Sequence, residues 1–268
     1  MEAKSVKTCT STSSKPDYQK QLEEILKNLP QIKNPGSPKK SLLLHACCAP
    51  CSSYVLEYLS DFFDITIYYY NPNIHPQSEY ERRLTELKHF LPEFTPALKN
   101  KVRLIEAPYS TDDYFNATKV LQEPELQTEA ERGERCRRCY KFRMEKAFNF
   151  ARENHFDYFT TTLSISPHKD SLKINAIGFE LVSNFSVDNL HSADENFSST
   201  QYLPADFKKK SGYLRSTQLS REYNLWRQDY CGCIYSKQNE ENRRKQKLES
   251  NKESPLNQTK ENPVQETK

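Results

Sequence analysis

The sequence predicts an α/β fold, with a parallel β-sheet covered on both faces by helices, in three layers. Short apolar segments alternate along the chain with longer stretches whose apolar residues recur at helical spacing. This alternation is typical of βαβ units, which build parallel sheets. The 268 residues suffice for one such domain with polar ends. With 16 Tyr and 14 Phe, the chain holds too many aromatic residues to be disordered throughout.

Four short apolar segments are expected to form the strands. They cover residues 41–46 (SLLLHA), 64–70 (DITIYYY), 101–107 and 157–163 (DYFTTTL). Each is too short for a typical helix and is rich in aliphatic, β-branched or aromatic residues. We therefore interpret them as buried strands of one sheet.

Helices are expected between these strands. One begins at Pro50, because proline is favoured in the first helical turn and an amphipathic run follows it. Residues 79–91 and 136–152 also place apolar side chains on one helical side, and a weaker amphipathic stretch covers residues 18–29. The helical pattern thus fills the gaps that βαβ units require.

The two ends of the chain are expected to lie outside the folded domain. Residues 1–38 are polar and rich in Ser and Lys, residues 39–236 carry the apolar pattern, and residues 237–268 are rich in Asn, Glu, Lys and Gln. We therefore expect a polar N-terminal extension, one domain that carries the functional site, and a disordered tail. No apolar run reaches membrane-spanning length and no signal-peptide core is found, so we expect a cytoplasmic protein without a membrane partner.

The cysteines are the main candidate functional residues. In a reducing compartment, 8 cysteines are expected to serve as metal ligands or redox groups rather than as structural disulfides. Cys47, Cys48 and Cys51 follow the first predicted strand, and residues 164–170 follow the fourth. Sites of parallel sheets lie beyond the carboxyl ends of the strands, near the topological switch point. These two segments are therefore expected to meet at the site.

Two cysteine pairs are candidate metal ligands. Cys136 and Cys139 open a predicted helix, where positions three apart lie roughly 60° apart on one face, so both sulfurs can approach one metal. Together with Cys47 and Cys48 they can supply four thiolates to Zn²⁺ or to a [4Fe–4S] cluster. The adjacency of Cys47 and Cys48 favours a cluster, because neighbouring side chains diverge along an extended backbone. The spacing alone leaves zinc and iron–sulfur both open.

The remaining candidate thiols have different surroundings. Cys51 lies in the first turn of a predicted helix, where unpaired N–H groups favour a thiolate. It is therefore either a further metal ligand, with a second iron as one option, or a reactive thiol. Cys231 and Cys233 flank Gly232, and a disulfide between them would close a small, strained and easily reduced ring. We interpret this pair as a reversible two-electron group, with metal ligands or inert thiols as the alternatives.

Five segments in the same order resemble the epoxyqueuosine reductases that do not use cobalamin. They are HACCAPC (45–51), YNPNI (70–74), ERCRRC (134–139), TTLSISPHK (161–169) and YCGC (230–233). The resemblance spans about residues 42–236, nearly all of the predicted domain. It implies a fold similar to the nucleotide-α-hydrolase-like (HUP-type) domains. The chain has only 5 glycines and no Gly-rich ATP loop, so ATP use does not follow.

The same resemblance implies an activity, cofactors and partners. The reaction is the reduction of epoxyqueuosine to queuosine at the wobble position of a tRNA, the final step of queuosine biosynthesis, with an electron donor that the sequence does not identify. Some members of the family carry a mononuclear iron beside their cluster, and some have Asp where this chain has Cys51. The residues that the resemblance assigns are a redox-active pair, Cys231 and Cys233, and the ligands of a [4Fe–4S] cluster, Cys47, Cys48, Cys136 and Cys139.

Removing an epoxide oxygen as water takes two electrons and two protons, so the site needs a proton donor. His168 is the first candidate, because its ordinary pKa lies near neutrality and it follows the fourth strand. Lys169 is an alternative donor or a phosphate contact, and Asp170 an alternative donor or, by its position, a helix cap. His45, on the apolar first strand, is expected to be a hydrogen-bonded core residue.

Contacts with RNA are expected from local basic residues, since a net charge of +3 gives no global indication of a nucleic-acid partner. Arg135, Arg137 and Arg138 surround the presumed ligand Cys136, and Lys169 lies on the strand-end loop. Aromatic side chains near the site can stack an unpaired anticodon base, although the sequence selects no particular one.

Two other functions also fit the cysteines. One is a metal-free thiol–disulfide oxidoreductase that uses either the Cys136/Cys139 or the Cys231/Cys233 pair. The other is a non-catalytic, zinc-stabilised RNA-binding module. The adjacency of Cys47 and Cys48, together with the separate Cys-Gly-Cys motif, weighs against both.

Overall fold

A computed structural model of the chain describes residues 15–30, 38–188 and 200–253. Its centre is a five-stranded, all-parallel sheet in the order β3-β2-β1-β4-β5. The strands are β1 (Lys40–His45), β2 (Phe63–Tyr69), β3 (Arg103–Glu106), β4 (Tyr158–Thr161) and β5 (Gln201–Tyr202).

Helices join the strands and cover the sheet. In the described residues they are α1 (Tyr18–Asn28), α2 (Ala49–Leu59), α3 (Gln77–Glu93), α4 (Thr95–Lys99), α5 (Thr111–Thr118), α6 (Glu125–Thr128), α7 (Glu134–Glu153), α8 (Ser171–Asp188), α9 (Gly212–Glu222) and α10 (Ile234–Glu253). A 3₁₀ turn, Thr162–Ile165, follows β4.

The sheet buries both of its faces. Leu42, Leu43 and Leu44 of β1 are all fully buried. Leu42 and Leu44 lie in an apolar cluster with residues of α1, α2, α3 and α9, whereas Leu43 lies in a second cluster with residues of α7 and α8. Successive strand side chains point to opposite faces, so the two clusters are the two helix–sheet interfaces. The predicted three-layer α/β fold with a parallel sheet is confirmed.

The strand predictions differ from the structure mainly at β4 and β5. The fourth strand was predicted over residues 157–163, but it ends at Thr161 and a 3₁₀ turn follows. The Thr161 side chain accepts a hydrogen bond from the Leu163 N–H and so closes this turn. β5 has two residues and was not predicted, since so short a strand leaves no periodic pattern.

The structure also differs from the prediction at both ends of the chain. Leu22 and Leu26 of α1, within the predicted polar extension, are buried against the core. At the other end α10 continues to Glu253 across a segment that was expected to be disordered. Its middle is exposed and polar on all sides, and it carries ion pairs one turn apart, such as Glu240 with Arg244 at 3.2 Å. An all-polar helix of this kind lacks the apolar stripe by which helices are recognised in sequence.

None of the helices in the described part of the chain has the length and apolar character needed to span a bilayer.

Candidate functional site

The strand order places a crevice at the carboxyl ends of β1 and β4. These two central strands are paired side by side, with His45 opposite Thr161 at their ends, and their connections leave toward opposite sides of the sheet. Ligands of open parallel sheets bind at such switch points. The predicted meeting of the segment after β1 with the segment after β4 is therefore found.

Three sulfurs converge directly after β1. Those of Cys47, Cys48 and Cys51 all lie within 4.8 Å of one another, the one such group of potential metal-binding side chains in the described residues. The Cys47 and Cys48 sulfurs are 3.7 Å apart, and the Gln228 amide lies 3.2 Å from the Cys48 sulfur. Cys48 is the N-cap of α2, and Cys51 lies in its first turn. The expected position of Cys51 at a helix N-terminus is thus confirmed.

The electrostatics of this group favour one thiolate. Hydrogen bonds with Cys48 and Cys51, with help from the Lys169 and Arg143 cations, hold the pKa of Cys47 well below its usual value. The hydrogen bond with Cys47 raises the pKa of Cys48 to about 12, and both neighbouring thiols together with burial raise that of Cys51. A metal that binds all three sulfurs must therefore compete with protons, most of all at Cys48 and Cys51.

Cys136 and Cys139 lie in the first two turns of α7, as predicted, and face a different part of the site. The Glu129 carboxylate caps this helix by accepting the N–H groups of Glu134 and Arg135, at 2.7 and 2.8 Å. Both cysteines are buried, and burial raises the pKa of each, to about 12 for Cys136. They line a cavity of about 20 Å³ together with Cys231 and Cys233. In the described residues they do not belong to the compact group formed by Cys47 and Cys48.

The Cys231–Cys233 loop is held by a buried arginine and by backbone contacts. The Arg83 guanidinium donates to the carbonyls of Cys231 and Tyr230, at 3.3 and 3.5 Å, and the His75 N–H donates to the Gly232 carbonyl at 2.8 Å. Gly232 has a φ of 122°, in the region that favours glycine. The Cys231 and Cys233 sulfurs lie 3.8 Å apart. A small movement would bring them to the roughly 2.0 Å of a disulfide.

The two thiols of this loop differ in character. Its hydrogen bond with Cys233, together with the Lys169 ammonium, holds the pKa of Cys231 well below its usual value. The same hydrogen bond and burial raise the pKa of Cys233. Lys169 is buried, and its ammonium interacts electrostatically with Cys47, Cys51 and Cys231. The Lys169 ammonium thus favours a thiolate in both groups of cysteines.

A larger cavity of about 460 Å³ opens beside the thiols. Cys51 and Cys231 line it, so both thiol groups are reached from one space. Its volume lies within the range of about 300–1,000 Å³ typical of small-molecule sites. Its wall also includes Glu131, His168, Lys169, Tyr213, Arg227 and Tyr230.

His45 and Asp170 both have structural roles. His45 is buried and hydrogen-bonds to Thr161 and to the Tyr70 carbonyl, as expected of a core residue. Asp170 accepts the N–H groups of Leu172 and Lys173, which confirms it as the cap of α8.

The residues expected to contact RNA are less exposed to solvent than the sequence suggested. Arg135 is 1% exposed, and its guanidinium donates to the Leu126 and Gln127 carbonyls inside the protein. This placement corrects the expected RNA contact of Arg135 to an internal one, because a buried guanidinium cannot reach a phosphate. Arg137 and Arg138 are partly exposed and paired with acidic side chains. Lys169 is buried among the thiols, and His168 is exposed at the mouth of both cavities.

Arg83 and Glu131 are site residues that the sequence reasoning missed. Arg83 lies on the buried side of α3 between the core residues Tyr80 and Leu84. A charged residue within an apolar helix stripe was the available signal. Glu131 lines both cavities but precedes α7 in an irregular segment, where no periodic pattern marks it.

Several buried polar atoms of the site have no hydrogen-bond partner. Among the described residues, Asn73 Oδ1, Arg135 Nε and Nη2, and Arg143 Nε have no hydrogen-bond partner. All three side chains line the small cavity beside Cys136 and Cys139. Unpaired guanidinium N–H groups next to clustered thiols suit an anionic, thiolate-ligated metal group.

Comparison with known proteins identifies the family of the chain. The sequence profile of the family described as "Epoxyqueuosine reductase QueH" matches residues 42–239. A protein of that name from Streptococcus pyogenes is 39% identical over 221 residues, covering 82% of this chain and 80% of its own. Those from Staphylococcus epidermidis and Staphylococcus aureus are 38% and 36% identical, covering 84% and 80% of this chain and 86% and 82% of their own. The chain therefore belongs to the QueH family of epoxyqueuosine reductases.

Proposed function

We propose that this protein reduces epoxyqueuosine in tRNA to queuosine, the last step of queuosine biosynthesis. Its family membership supports the activity. The site is supported by the position of Cys51 and Cys231, one from each group of thiols, on the wall of one cavity of about 460 Å³. Since its substrate is tRNA, a cytoplasmic location is part of the proposal.

A [4Fe–4S] cluster is the proposed cofactor, with Cys47, Cys48, Cys136 and Cys139 as its ligands. All four thiols are buried, and the unpaired guanidinium N–H groups of Arg135 and Arg143 lie at the cavity beside Cys136 and Cys139, which supports an anionic group there. Such a cluster supplies electrons one at a time. Cys51, whose sulfur lies within 4.8 Å of those of Cys47 and Cys48, is the proposed ligand of a further iron.

The Cys231–Cys233 pair is proposed as the protein's own two-electron reservoir. Cys231 favours the thiolate and Cys233 the thiol, which is the combination that disulfide chemistry requires. Lys169 stabilises the Cys231 thiolate. The large cavity gives a substrate direct access to Cys231, because Cys231 lines its wall. An external reductant that restores the pair completes the cycle.

The modified base is proposed to enter the large cavity and to stack on Tyr213. This ring is 39% exposed and lies under the Arg227 guanidinium, 5.4 Å from its centroid. Single-stranded bases are read by such stacking, which contributes about 1–3 kcal/mol per base. Tyr213→Ala is expected to weaken tRNA binding about 5- to 150-fold, whereas Tyr213→Phe, which keeps the ring, leaves the Kd nearly unchanged.

The first experiment is metal analysis joined to an activity assay. Protein purified without oxygen is expected to hold about four irons and four sulfides per chain, and to convert epoxyqueuosine-containing tRNA when a reductant is supplied. Serine substitution of Cys47, Cys48, Cys136 or Cys139 should remove most of the iron and the activity. Cys9→Ser is the matched control, because Cys9 lies outside the residues that match the family profile.

Each arm of this experiment can contradict the proposal. Stoichiometric zinc without sulfide, after growth with iron supplied, would reject the cluster and favour the zinc-stabilised module. Iron-free protein that catalyses disulfide exchange would favour the thiol oxidoreductase. Iron-loaded protein that leaves epoxyqueuosine in tRNA unchanged would reject the activity itself.

A further inference from the structure

One carboxyl group lies on the walls of both cavities of the site. The side chains that line both are Glu131, His168, Lys169 and Cys231. Glu131 is the one carboxylic acid among them, and it is partly buried. It therefore lies where a substrate in the large cavity approaches the Cys231–Cys233 pair.

Glu131 also differs from the acids around it in having no partner. Glu129 caps α7, Glu123 pairs with Arg138, and Glu134 pairs with Arg137. In the part of the chain that the structure describes, the Glu131 carboxyl makes no hydrogen bond and no ion pair. Unlike a carboxylate engaged in a cap or an ion pair, that of Glu131 keeps its oxygens accessible, since they are not among the buried polar atoms that lack a partner. An unpaired one on a cavity wall is free to bind a ligand.

The charged and titratable groups that interact with Glu131 include Cys231, Lys169, His168, Arg135 and Tyr140. Burial is the largest influence on its pKa and raises it, the Cys231 thiolate raises it further, and Lys169, His168 and Arg135 lower it. The net effect is a pKa above the usual value. The protonated acid is thus available at a higher pH than for an exposed glutamate.

We infer that Glu131 is the catalytic acid that protonates the epoxide oxygen when the substrate is reduced. The inference rests on the proposed function and deepens it. It places the proton donor on the partly buried cavity wall rather than at His168, which is exposed at the cavity mouth.

The reaction balances with the groups on the cavity wall. The Cys231 thiolate and the Cys233 thiol give two electrons and one proton and become a disulfide. Glu131 gives the second proton and becomes a carboxylate. Both epoxide C–O bonds break, a C=C bond forms, and the oxygen leaves as water. An external dithiol then reduces the disulfide, and its remaining proton returns to Glu131.

The test is single-turnover conversion of epoxyqueuosine-containing tRNA by the metal-loaded enzyme, followed across pH. Glu131→Gln keeps the size of the side chain and removes its proton. Loss of a general acid typically costs about 10²–10⁴-fold in rate, so we expect at least a 100-fold loss. The Kd for tRNA and the iron content should stay as in the wild type. Glu125→Gln, the same exchange at an exposed position outside both cavities, should behave as the wild type.

The pH profile separates a catalytic acid from a structural residue. The wild-type rate should rise with pH as Cys231 ionises and fall as Glu131 loses its proton. Glu131→Gln should lose the descending limb. Glu131→Asp should keep it at a reduced rate, and His168→Gln should keep it unchanged.

The outcomes distinguish this inference from the proposed function. If the wild type does not convert the tRNA, the proposed function fails and the inference fails with it. If the wild type is active and Glu131→Gln retains its rate and its descending limb, only the inference is overturned. If His168→Gln, but not Glu131→Gln, removes that limb, His168 is the acid instead. If Glu131→Gln does not fold, a wild-type profile with no descending limb above the usual pKa of glutamate overturns the inference.

Discussion

The buried Arg83 links the core of the domain to the Cys231–Cys233 loop. Its side chain is 1% exposed and forms an ion pair with Glu79 at 2.7 Å. The same guanidinium donates to the carbonyls of Tyr230 and Cys231. Arg83→Met keeps most of the apolar volume and removes the charge and these donors. It leaves the Glu79 carboxylate buried without its partner.

The magnitude follows from the burial of this pair. Removing one partner of a buried ion pair costs about 3–5 kcal/mol, because the other charge stays desolvated. In a domain of this size each kcal/mol lowers Tm by about 2–4 °C. We therefore expect Arg83→Met to unfold about 6–20 °C below the wild type. The loop should also loosen, so that Cys231 is alkylated faster in the folded protein.

A double-mutant cycle with Glu79→Gln provides the assay and the control. Thermal unfolding of the wild type, the two single variants and the double variant gives the coupling between the two side chains. We expect the double variant to be more stable than the sum of the single losses predicts, by about 0.5–3 kcal/mol. A Tm for Arg83→Met within about 2 °C of the wild type, or losses that simply add, would refute this reasoning.

Three further predictions test the loop, a helix cap and an acid-sensitive ion pair. Gly232→Ala is expected to cost about 1–3 kcal/mol in urea unfolding, because φ is 122° and the new Cβ would lie 2.9 Å from Ile74 Cγ1. Asp170→Ala removes the cap of α8 and should cost about 1 kcal/mol, visible as a lower Tm with tRNA affinity unchanged. The hydrogen bond from Arg137 is the main cause that lowers the pKa of Glu134 to about 2. The interaction of Glu134 with Arg137 therefore contributes its full stabilisation above the unfolded-state pKa of glutamate, about 4.3. This stabilisation is lost as the pH falls toward about 2, the pKa of Glu134 in the folded protein.

Each of these three predictions has an experimental result that would contradict it. Wild-type urea stability in Gly232→Ala would mean that the loop adapts to a side chain. An unchanged Tm in Asp170→Ala would mean that solvent replaces the cap. For Glu134, the comparison is acid unfolding of the wild type and Glu134→Gln. Equal loss of stability in both over that pH range would show that the ion pair contributes nothing.

Much of the fold was readable from the sequence because burial on both faces of a parallel sheet leaves a direct mark. The run Leu42–Leu43–Leu44 predicted β1, and these side chains pack into the two apolar clusters on opposite faces of the sheet. The positions of Cys51 in the first turn of α2 and of Cys136 near the start of α7 also followed from local signals. Local signals failed for α10, whose polar surface gives no periodic contrast.

By itself, the sequence determined the α/β class, the cysteine motifs and the family, since these depend on residue type, order and spacing along the chain. Only the tertiary structure decided which thiols are neighbours. It placed Cys136 and Cys139 around the cavity of the Cys231–Cys233 pair, which lies about 90 residues further along the chain. It also turned Arg135 inward and gave the unpaired Glu131 a place on both cavities. Burial and proximity between segments that are distant in sequence arise only when the sheet brings its strand ends together, so no local pattern encodes them.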